Sequence, residues 1–423
     1  MYHFLQGRLI FLRLILLFAV LLVISAGILT LYALGHPAQT DENGPNNLEN
    51  LWKKQLFFAL IGLFAFWAVN LLNYRRLGAL SYWMYAGVLL LLITLLFSKY
   101  LYRLPFAPPI NGTFRWLKIS FGSFELPRLQ PSELFKIVYL LALSWYLRYR
   151  SNYRHFQALI GPFVLTLLPM GLILLEPDLG TVMLIMPILF IMLFIAGAKV
   201  KHLVIILLLA VLVSPVMWHS IKGYQRMRIS ALLLQNAKIR QLTTDHPFIS
   251  RLLVGKPKFS ENDWQMGAGY QLIRSKYAIA SGGPTGYGFR QGPFIKYDFL
   301  PERENDFIFA IVSHQWGFWG CIGLFALYGV IIICGLEIAW QNNDPFGRLL
   351  AVGISAMFIV EILVNIGMTI GLMPITGLTL PFVSYGGSSL LRCMVAVGIL
   401  NNIGRCKPFG ISRSSTISER RLK

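Results

Sequence analysis

Long apolar runs separated by short polar stretches extend along almost the whole chain. The runs lie near residues 9–34, 56–72, 80–98, 133–147, 156–175, 180–198, 200–218, 307–336, 347–371 and 379–403. A helix needs about 20 apolar residues to cross a hydrocarbon layer about 30 Å thick. The pattern therefore predicts an all-α integral membrane protein with about ten transmembrane helices. We expect a single polytopic membrane domain over residues 1–423.

Basic residues in the short loops set the predicted topology, because cytoplasmic loops are enriched in Lys and Arg. They occur at Arg75, Arg76, Arg148, Arg150, Arg154, Lys199, Lys201 and Arg348, and again in the tail 404–423. Ten spans place all of them on one side of the membrane, with both termini in the cytoplasm. Residues 35–55, 99–132, 219–306 and 372–378 are then extracytoplasmic.

The large extracytoplasmic loop 219–306 lies between spans 7 and 8. It is far longer than the limit of about 12–15 residues above which loops are uncommon unless they are functional or disordered. It contains aromatic residues, charges of both signs and the Gly-rich stretch 281–288. We expect a partly ordered active-site loop, with an insertion of amphipathic helix at 231–262.

The composition of the chain supports the membrane class. Hydrophobic residues make up 56% of the chain and charged residues 13%, whereas soluble proteins have about 25% charged residues. The net charge of +20 would suggest a nucleic-acid partner in a soluble protein. Here the basic residues lie in loops between apolar runs, so we expect membrane lipids or an anionic lipid-linked substrate, and no nucleic acid. Part of the charge reflects topology alone.

Asp306 lies where the large loop enters span 8. The falling dielectric at this depth disfavours a charged carboxylate and raises its pKa, as a general base working near neutral pH requires. A favourable interaction with the helix dipole explains an acid at a helix start equally well. Position alone does not separate the two interpretations.

Ionisable residues also occur inside predicted spans. Glu133 and Lys136 are three residues apart and share one face of span 4. Such residues usually have a function and a partner, so a functional role is slightly favoured over a structural ion pair. Span 9 contains Glu361. Span 10 contains Arg392, whose charge is expected to pair with an acid or a phosphate.

Two further stretches at the predicted exterior face are unusual. Asp178, in the turn between spans 5 and 6, is expected to cap span 6 or to face an exterior cavity. Residues 371–389 combine repeated Gly and Pro with apolar residues at membrane depth. Irregular backbone at that depth is tolerated where it is buried in protein or lines a water-filled cavity. Close helix packing at small residues is the other explanation.

Together these segments resemble the SEDS (shape, elongation, division and sporulation) family. The resembling residues are Arg115-Trp116, 130–133 with Lys136, 176–181, 224–226, 269–271, 299–302, 306–310, 365–368 and 380–389, in the family's order over almost the whole chain. The resemblance implies a ten-helix membrane glycosyltransferase that polymerises lipid II into glycan strands and releases undecaprenyl pyrophosphate. It also implies a class B penicillin-binding protein (a transpeptidase) as partner and a bacterial cytoplasmic (inner) membrane as location.

The resemblance assigns roles to individual residues. Asp306 matches the family's essential exterior aspartate and is the candidate base of an inverting transfer. The candidate substrate-binding residues are Arg115, Trp116, Gln130, Ser132, Glu133, Lys136, Asp178, Arg226, Gln271, Ser384, Tyr385, Gly386, Gly387, Ser388 and Arg392. Of these, Arg115, Lys136 and Arg226 are candidates for the diphosphate. No dedicated metal site is predicted. A divalent cation (Mg²⁺ or Mn²⁺), which helps family members, is expected to bridge substrate phosphates loosely.

The chain departs from the family pattern around the proposed base. Glu304-Asn305 stands where members commonly have His-Thr, and His314-Gln315 stands where they have Glu-Glu. Residues 299–303 and 365–368 favour the rod-shape (elongation) members, whereas 377–380 favour the division members; elongation is preferred. The alternatives are a division polymerase, a flippase for a lipid-linked precursor and a non-catalytic activator of a penicillin-binding protein.

Overall fold

The described part of the computed structural model comprises residues 2–38, 48–109, 114–118, 120–121, 124–125, 129–149, 156–176, 178–220 and 223–406. Residues 407–423 of the predicted basic tail lie outside it, as do Arg150 and Arg154 of the loop after span 4.

Helices account for most of the described chain. They are α1 Tyr2–Gly35, α2 Leu51–Leu71, α3 Tyr74–Tyr100, α4 Pro131–Leu147, α5 Ile160–Leu175, α6 Leu179–Ile195, α7 Val200–Ser220, α8 Gly223–Leu233, α9 Ala237–Asp245, α10 Pro247–Leu253, α11 Glu261–Met266, α12 Ala268–Gly282, α13 Pro293–Lys296, α14 Ile308–Gln341, α15 Pro345–Ile370 and α16 Gly387–Arg405. A 3-10 turn at Phe156–Leu159 precedes α5, and two short strands, β1 (Ser120–Phe121) and β2 (Phe124–Glu125), form an antiparallel hairpin before α4.

Ten of these helices, α1–α7 and α14–α16, correspond to the ten predicted spans. By length and composition, α1, α2, α3, α5, α14 and α15 can each cross a membrane, and α6 and α7 contain shorter apolar helices. Most side chains of α4 and α16 are buried, so protein rather than lipid surrounds them and polar positions are tolerated. The all-α membrane fold is confirmed, and the protein is a multi-pass membrane protein.

The tenth span begins at Gly387 rather than at residue 379 as predicted. The apolar run continues through the preceding residues, but the backbone there is not helical. Gly371, Gly377 and Phe382 have φ of 82°, 75° and 66°, in the left-handed region that a right-handed helix cannot include. Hydropathy alone does not report this break. Residues 371–386 thus form a non-helical segment between α15 and α16, called the 371–386 segment below.

Side chains of neighbouring helices hold this segment in place. Tyr328 of α14 donates a hydrogen bond to the carbonyl of Pro381 (2.6 Å). Gln55 of α2 donates to the carbonyl of Ser384 (3.1 Å) and accepts from the N–H of Gly386 (3.2 Å). Backbone groups buried away from water need such partners. The segment is therefore a defined part of the packed bundle.

The large extracytoplasmic loop is helical over much of its length and contains α8–α13. Its region 231–262 is helical as expected, but it is divided into short helices. Pro247 begins α10, and Gly255, with φ of 79°, follows that helix. A small separate core lies in this part of the loop and consists of Leu234, Val254, Phe259 and Trp264.

The Gly-rich stretch of this loop packs on a kink in α14. The kink lies at Gly317, which has φ of 62° and ψ of −159°. Beside it, the N–H groups of Tyr287 and Gly288 donate to the carbonyls of His314 and Gln315, each at 3.0 Å. The kink frees helix carbonyls, and the loop backbone satisfies them. The loop is thereby fixed to the exterior half of α14.

Residues predicted on the cytoplasmic side gather at one end of the bundle. Arg75 at the start of α3 pairs with Asp344, which precedes α15 (3.3 Å). Arg13 of α1 donates to the Asn401 side chain of α16 (2.8 Å). The starts of α1, α3 and α15 and the end of α16 thus lie together, as a ten-span topology requires.

Candidate active site

Asp306 lies two residues before α14, on the segment that connects the large loop to this helix. Its backbone carbonyl accepts a hydrogen bond from Asn365 Nδ2 (2.9 Å), which also donates to the carbonyl of Leu378 (2.6 Å). A Cβ built on Gly377 would lie 3.4 Å from Asp306 Oδ2. Asn365 thus joins the aspartate's backbone to the 371–386 segment. Within the described ranges, no side chain donates a hydrogen bond to the carboxylate itself.

Burial raises the pKa of the Asp306 carboxyl to about 7. The negative charges of Glu302 and Glu304 raise this pKa further, whereas Arg228 and Arg115 lower it. Both protonation states are therefore populated near neutral pH, which is the property that a general base needs. Asp306 does not act as the N-cap of α14, because that position belongs to its neighbour in sequence and has no side-chain cap.

Arg115 lies between two acids. Its Nε donates to the backbone carbonyl of Glu176 (2.8 Å), and its charge reaches Asp306. Burial raises the pKa of Glu176 to about 8; the charge of Asp178 adds to the rise and Arg115 opposes it. Arg115, a predicted diphosphate ligand, is therefore close enough for its charge to act on the candidate base.

Arg226 and Arg228 of α8 have different surroundings. Arg226, the predicted diphosphate ligand, donates to the carbonyls of Trp218 (3.0 Å) and Arg251 (3.4 Å). Arg228 is half-buried, and its charge lowers the pKa of Asp306. Arg228 is not among the predicted diphosphate ligands, because nothing local in the sequence distinguishes which of two nearby arginines faces the acid. The contact of Arg226 with substrate stays a prediction.

Asp178 joins the starts of α4 and α6. It caps α6 by accepting hydrogen bonds from the N–H (3.2 Å) and the hydroxyl (2.9 Å) of Thr181. The hydroxyl of Ser132 donates to it at 2.9 Å, and Nε2 of Gln130 at 3.4 Å. Three of the predicted substrate-binding residues are thus brought together in one hydrogen-bonded group. The capping role is confirmed, and the substrate contacts stay predictions.

Ser384 and Tyr385 hold the backbone beside the acid. The hydroxyl of Ser384 donates to the carbonyl of Asn305 (2.7 Å) and accepts from the N–H of Leu380 (2.7 Å). The N–H of Tyr385 donates to the carbonyl of Glu304 (2.9 Å). The residues immediately before Asp306 are therefore fixed to the 371–386 segment by main-chain contacts.

The start of α16 lies at the same end of the bundle. Its N-cap is Gly386, which provides no side-chain cap. A Cβ on Gly387 would lie 3.1 Å from the ring of Phe58, so a larger residue would require this ring to move by a few tenths of an ångström. The hydroxyl of Ser388 accepts from the N–H of Gln130 (3.3 Å). A helix start carries partial positive charge and suits an anion.

Four buried ionisable side chains form a closed network, called the four-charge cluster. Lys136 Nζ lies 2.6 Å from Glu133 Oε1 and 3.2 Å from Glu361 Oε1. Arg392 contacts the second oxygens of the same acids, Glu133 Oε2 at 2.6 Å and Glu361 Oε2 at 2.9 Å. Each cation thus pairs with two carboxylates, and the cluster is neutral. The expected acidic partners of Arg392 are therefore Glu133 and Glu361. Direct substrate contact by Lys136, Glu133 or Arg392 stays a prediction.

Trp116 and Gln271 are both half-buried. Trp116 follows Arg115 in the exterior segment, and Gln271 lies on α12. The hydroxyl of Ser275, one turn further along α12, donates to the carbonyl of Thr369 in α15 (2.9 Å). This bond fixes α12 to the bundle, and the substrate contacts of Trp116 and Gln271 stay predictions.

The departures from the family pattern fall in two different places. Asn305, adjacent to the acid, donates to Glu302 Oε2 (2.7 Å). His314 Nδ1 lies 2.7 Å from the hydroxyl of Ser281, in the contact between α14 and the Gly-rich stretch. The first substitution therefore belongs to the segment of Asp306, and the second to the packing of the loop.

A metal cage was not expected from the sequence. Within the described parts of the chain, no group of three or more His, Cys, Asp or Glu side chains could hold a metal ion. A divalent cation held loosely by substrate phosphates stays a prediction.

The chain is similar in sequence to a known family and to individual members of it. A family model described as Cell cycle protein, covering FtsW, RodA and SpoVE, matches residues 13–407. Peptidoglycan glycosyltransferase RodA of Treponema pallidum is 32% identical over 439 residues, which cover 92% of this chain and 96% of that protein. Probable peptidoglycan glycosyltransferase FtsW of Bacillus subtilis is 32% identical over 394 residues, which cover 92% of this chain and 89% of that protein.

A solved structure shares the fold. It comes from work on the coordination of polymerization and crosslinking by a peptidoglycan synthase complex. The matching chain has a TM-score of 0.68 and 28% sequence identity, with 92% of this chain and 96% of that chain covered.

Proposed function

The chain belongs to the Cell cycle protein family of FtsW, RodA and SpoVE, and we propose that it is a peptidoglycan glycosyltransferase that polymerises lipid II. One observation carries the proposal. A half-buried carboxylate, Asp306, has a pKa of about 7 and lies beside the cations Arg115 and Arg228. It offers a base and positive charge at one exterior site, which is what transfer from a lipid diphosphate needs.

The reaction is a single displacement. The 4-hydroxyl of the acceptor sugar gives its proton to the Asp306 carboxylate while its oxygen bonds to the anomeric carbon of the donor. The bond between that carbon and the diphosphate oxygen breaks, and undecaprenyl pyrophosphate leaves with the electron pair. Attack opposite the leaving group inverts the anomeric carbon. Burial suits the base, because it raises the proton affinity of the Asp306 carboxylate and still leaves part of it unprotonated at neutral pH.

The leaving group gains one negative charge, on the oxygen of the broken bond, and needs cations more than an acid. Arg115 and Arg228 supply positive charge beside Asp306, and the uncapped start of α16 adds the partial charge of a helix N-terminus. When bound together with the substrate diphosphate, a divalent cation such as Mg²⁺ or Mn²⁺ would neutralise part of its charge. The residues near Asp306 offer carboxylates but no closed cage for the free ion.

The biological setting follows from the family. We propose that the enzyme acts in elongation and cell shape, as the name RodA implies for the relative from Treponema pallidum. A class B penicillin-binding protein is the proposed partner, since the structural relative belongs to a complex that coordinates polymerization and crosslinking. The inner membrane, with both termini in the cytoplasm, is the proposed location.

Strand formation from labelled lipid II tests the proposal. The protein is reconstituted with its penicillin-binding protein made inactive in transpeptidation, and wild type is compared with Asp306→Asn. The amide keeps the shape but cannot accept the proton, so we expect no strands. Asp298→Asn is the matched control, because among the described residues this exposed acid pairs with Arg303 alone, at 3.6 Å; it should polymerise normally.

Three results are informative. Strands from wild type and none from a folded Asp306→Asn variant support the enzyme and its base together. Strands from both proteins would place the base elsewhere. Strands from neither, with the partner bound, would favour the non-catalytic activator, an alternative that the unusual Asn305 beside the acid keeps relevant.

A further inference from the structure

The short helix α10 lies against the exterior end of α7. Trp218, in the last turn of α7, donates through Nε1 to the carbonyl of Leu252 (2.7 Å). Arg226 reinforces the contact by donating to the carbonyls of Trp218 and Arg251 (3.0 and 3.4 Å). The position of α10 is therefore tied to the end of a membrane-spanning helix.

The length of α7 gives the height of this contact. The helix begins at Val200, just after Lys199. With a rise of about 1.5 Å per residue, Trp218 lies about 27 Å further along the axis, close to the hydrocarbon thickness of about 30 Å. Tryptophan is enriched at the membrane–water interface. The outer interface therefore lies at the level of Trp218, and α10 lies beside it.

One exposed face of α10 is apolar. Phe248 is 76% exposed and Leu252 is 39% exposed. They are four residues apart and share one helix face. Transfer of such side chains out of water is favourable, so an aqueous position leaves this driving force unused.

Basic side chains accompany this apolar face. Arg251 lies on α10 itself, and Lys256 and Lys258 follow the helix; all three are exposed. Aromatic and leucine side chains combined with Lys and Arg are typical of segments that lie in the plane of a membrane interface. Anionic headgroups complement the charge.

We propose that α10 is an interfacial anchor on the outer leaflet. Phe248 and Leu252 enter the boundary between headgroups and acyl chains, and Arg251, Lys256 and Lys258 contact anionic headgroups. The anchor is independent of the polymerase reaction proposed above, since it rests on α7, α10 and the bilayer alone.

The anchor also bears on the site. The hydroxyl of Ser230 in α8 donates to the carbonyl of Leu253 at the end of α10 (2.5 Å). α8 carries Arg228, the cation that lowers the pKa of Asp306. An anchored α10 therefore sets the height of Arg228 above the membrane.

Depth-dependent fluorescence quenching tests the anchor. Phe248→Cys carries an environment-sensitive fluorophore, and Asn262→Cys, an exposed position between two acids of α11, is the matched control. Both are made with Cys406→Ser, because the other three cysteines are buried. The proteins are placed in nanodiscs of phosphatidylcholine and phosphatidylglycerol that contain a lipid with a nitroxide near the headgroup.

We expect the label at Phe248 to shift to shorter wavelength and to lose most of its fluorescence, and the label at Asn262 to lose little. Equal quenching at both positions would overturn the anchor. Burial of the Phe248 label only after addition of a penicillin-binding protein would also overturn it and would identify a protein-docking surface. Should Phe248→Cys fail to fold, Leu252→Cys on the same face gives the same test. In nanodiscs without phosphatidylglycerol the quenching should weaken; unchanged quenching would refute the headgroup contacts.

Discussion

Replacement of Glu361 by Gln unbalances the four-charge cluster. The carboxylate of Glu361 contacts Lys136 Nζ at 3.2 Å and Arg392 NH2 at 2.9 Å. Without its charge, two cations share the single acid Glu133, which lies 2.6 Å from each. All four side chains are at most 10% exposed, so water screens the excess charge poorly.

The expected loss follows from burial. Removal of one partner from a buried ion pair destabilises a protein by about 3–5 kcal/mol, because an uncompensated charge remains. A neutral double variant, Lys136→Met with Glu361→Gln, keeps the close contact between Glu133 and Arg392. Its loss should be markedly smaller than that of the single variant, since replacement of a whole buried pair is often close to neutral.

Unfolding midpoints of the purified proteins in one detergent measure this order: wild type, then the double variant, then Glu361→Gln. A Glu361→Gln protein as stable as wild type would refute the cluster as a coupled unit. Strand formation by the double variant settles a second point. A folded but inactive double variant would support the predicted contact of Lys136 with the diphosphate, whereas an active one would assign Lys136 to structure.

Two further predictions concern the surroundings of the base. The kcat/KM for strand formation should rise as the pH increases through about 7, the pKa of Asp306, because the base acts in its charged form. Arg228→Gln should move this rise to higher pH, because it removes a positive charge that stabilises the Asp306 carboxylate. Glu302→Gln should move it to lower pH, because it removes a negative charge that repels the carboxylate. Profiles that do not move would contradict the assignment of Asp306 as the base. Gly377→Ala should destabilise by about 1 kcal/mol or more, since φ there is 75°, and should reduce polymerisation through its contact with Asp306. Gly87→Ala, with open space around the new methyl group, should change neither the stability nor the polymerisation.

The sequence predicted the fold well where one physical signal dominates. Apolar runs of spanning length located the ten membrane helices, and the entry of the large loop into span 8 located Asp306. Asp178 was expected to cap span 6, and its carboxylate accepts from the N–H of Thr181. These features depend on hydropathy or on contacts between residues within one helical turn, and a single sequence contains both kinds of information.

Other features depend on contacts between distant parts of the chain. Glu361 pairs with Lys136 across 225 positions, and hydropathy does not report such pairs. The start of α16 was predicted eight residues early, near residue 379, because apolar side chains continue through a segment whose backbone is held open by Gln55 and Tyr328. Arg228, one of several arginines in the exterior loops, was not selected as a diphosphate ligand, because its approach to Asp306 depends on the tertiary position of α8.

The four-charge cluster has a consequence for biogenesis. Its members enter the bilayer on three separate helices, and a lone charge in a membrane is costly. Glu133 and Lys136 lie on α4 and already form a pair at 2.6 Å within one turn. Glu361 and Arg392 lie on α15 and α16, consecutive helices that contact each other at 2.9 Å through these groups. Each unit can therefore insert as an electrically neutral piece, the first as a single helix and the second as a hairpin. When the bundle closes, each cation keeps its first carboxylate and gains the carboxylate of the other piece as a second partner.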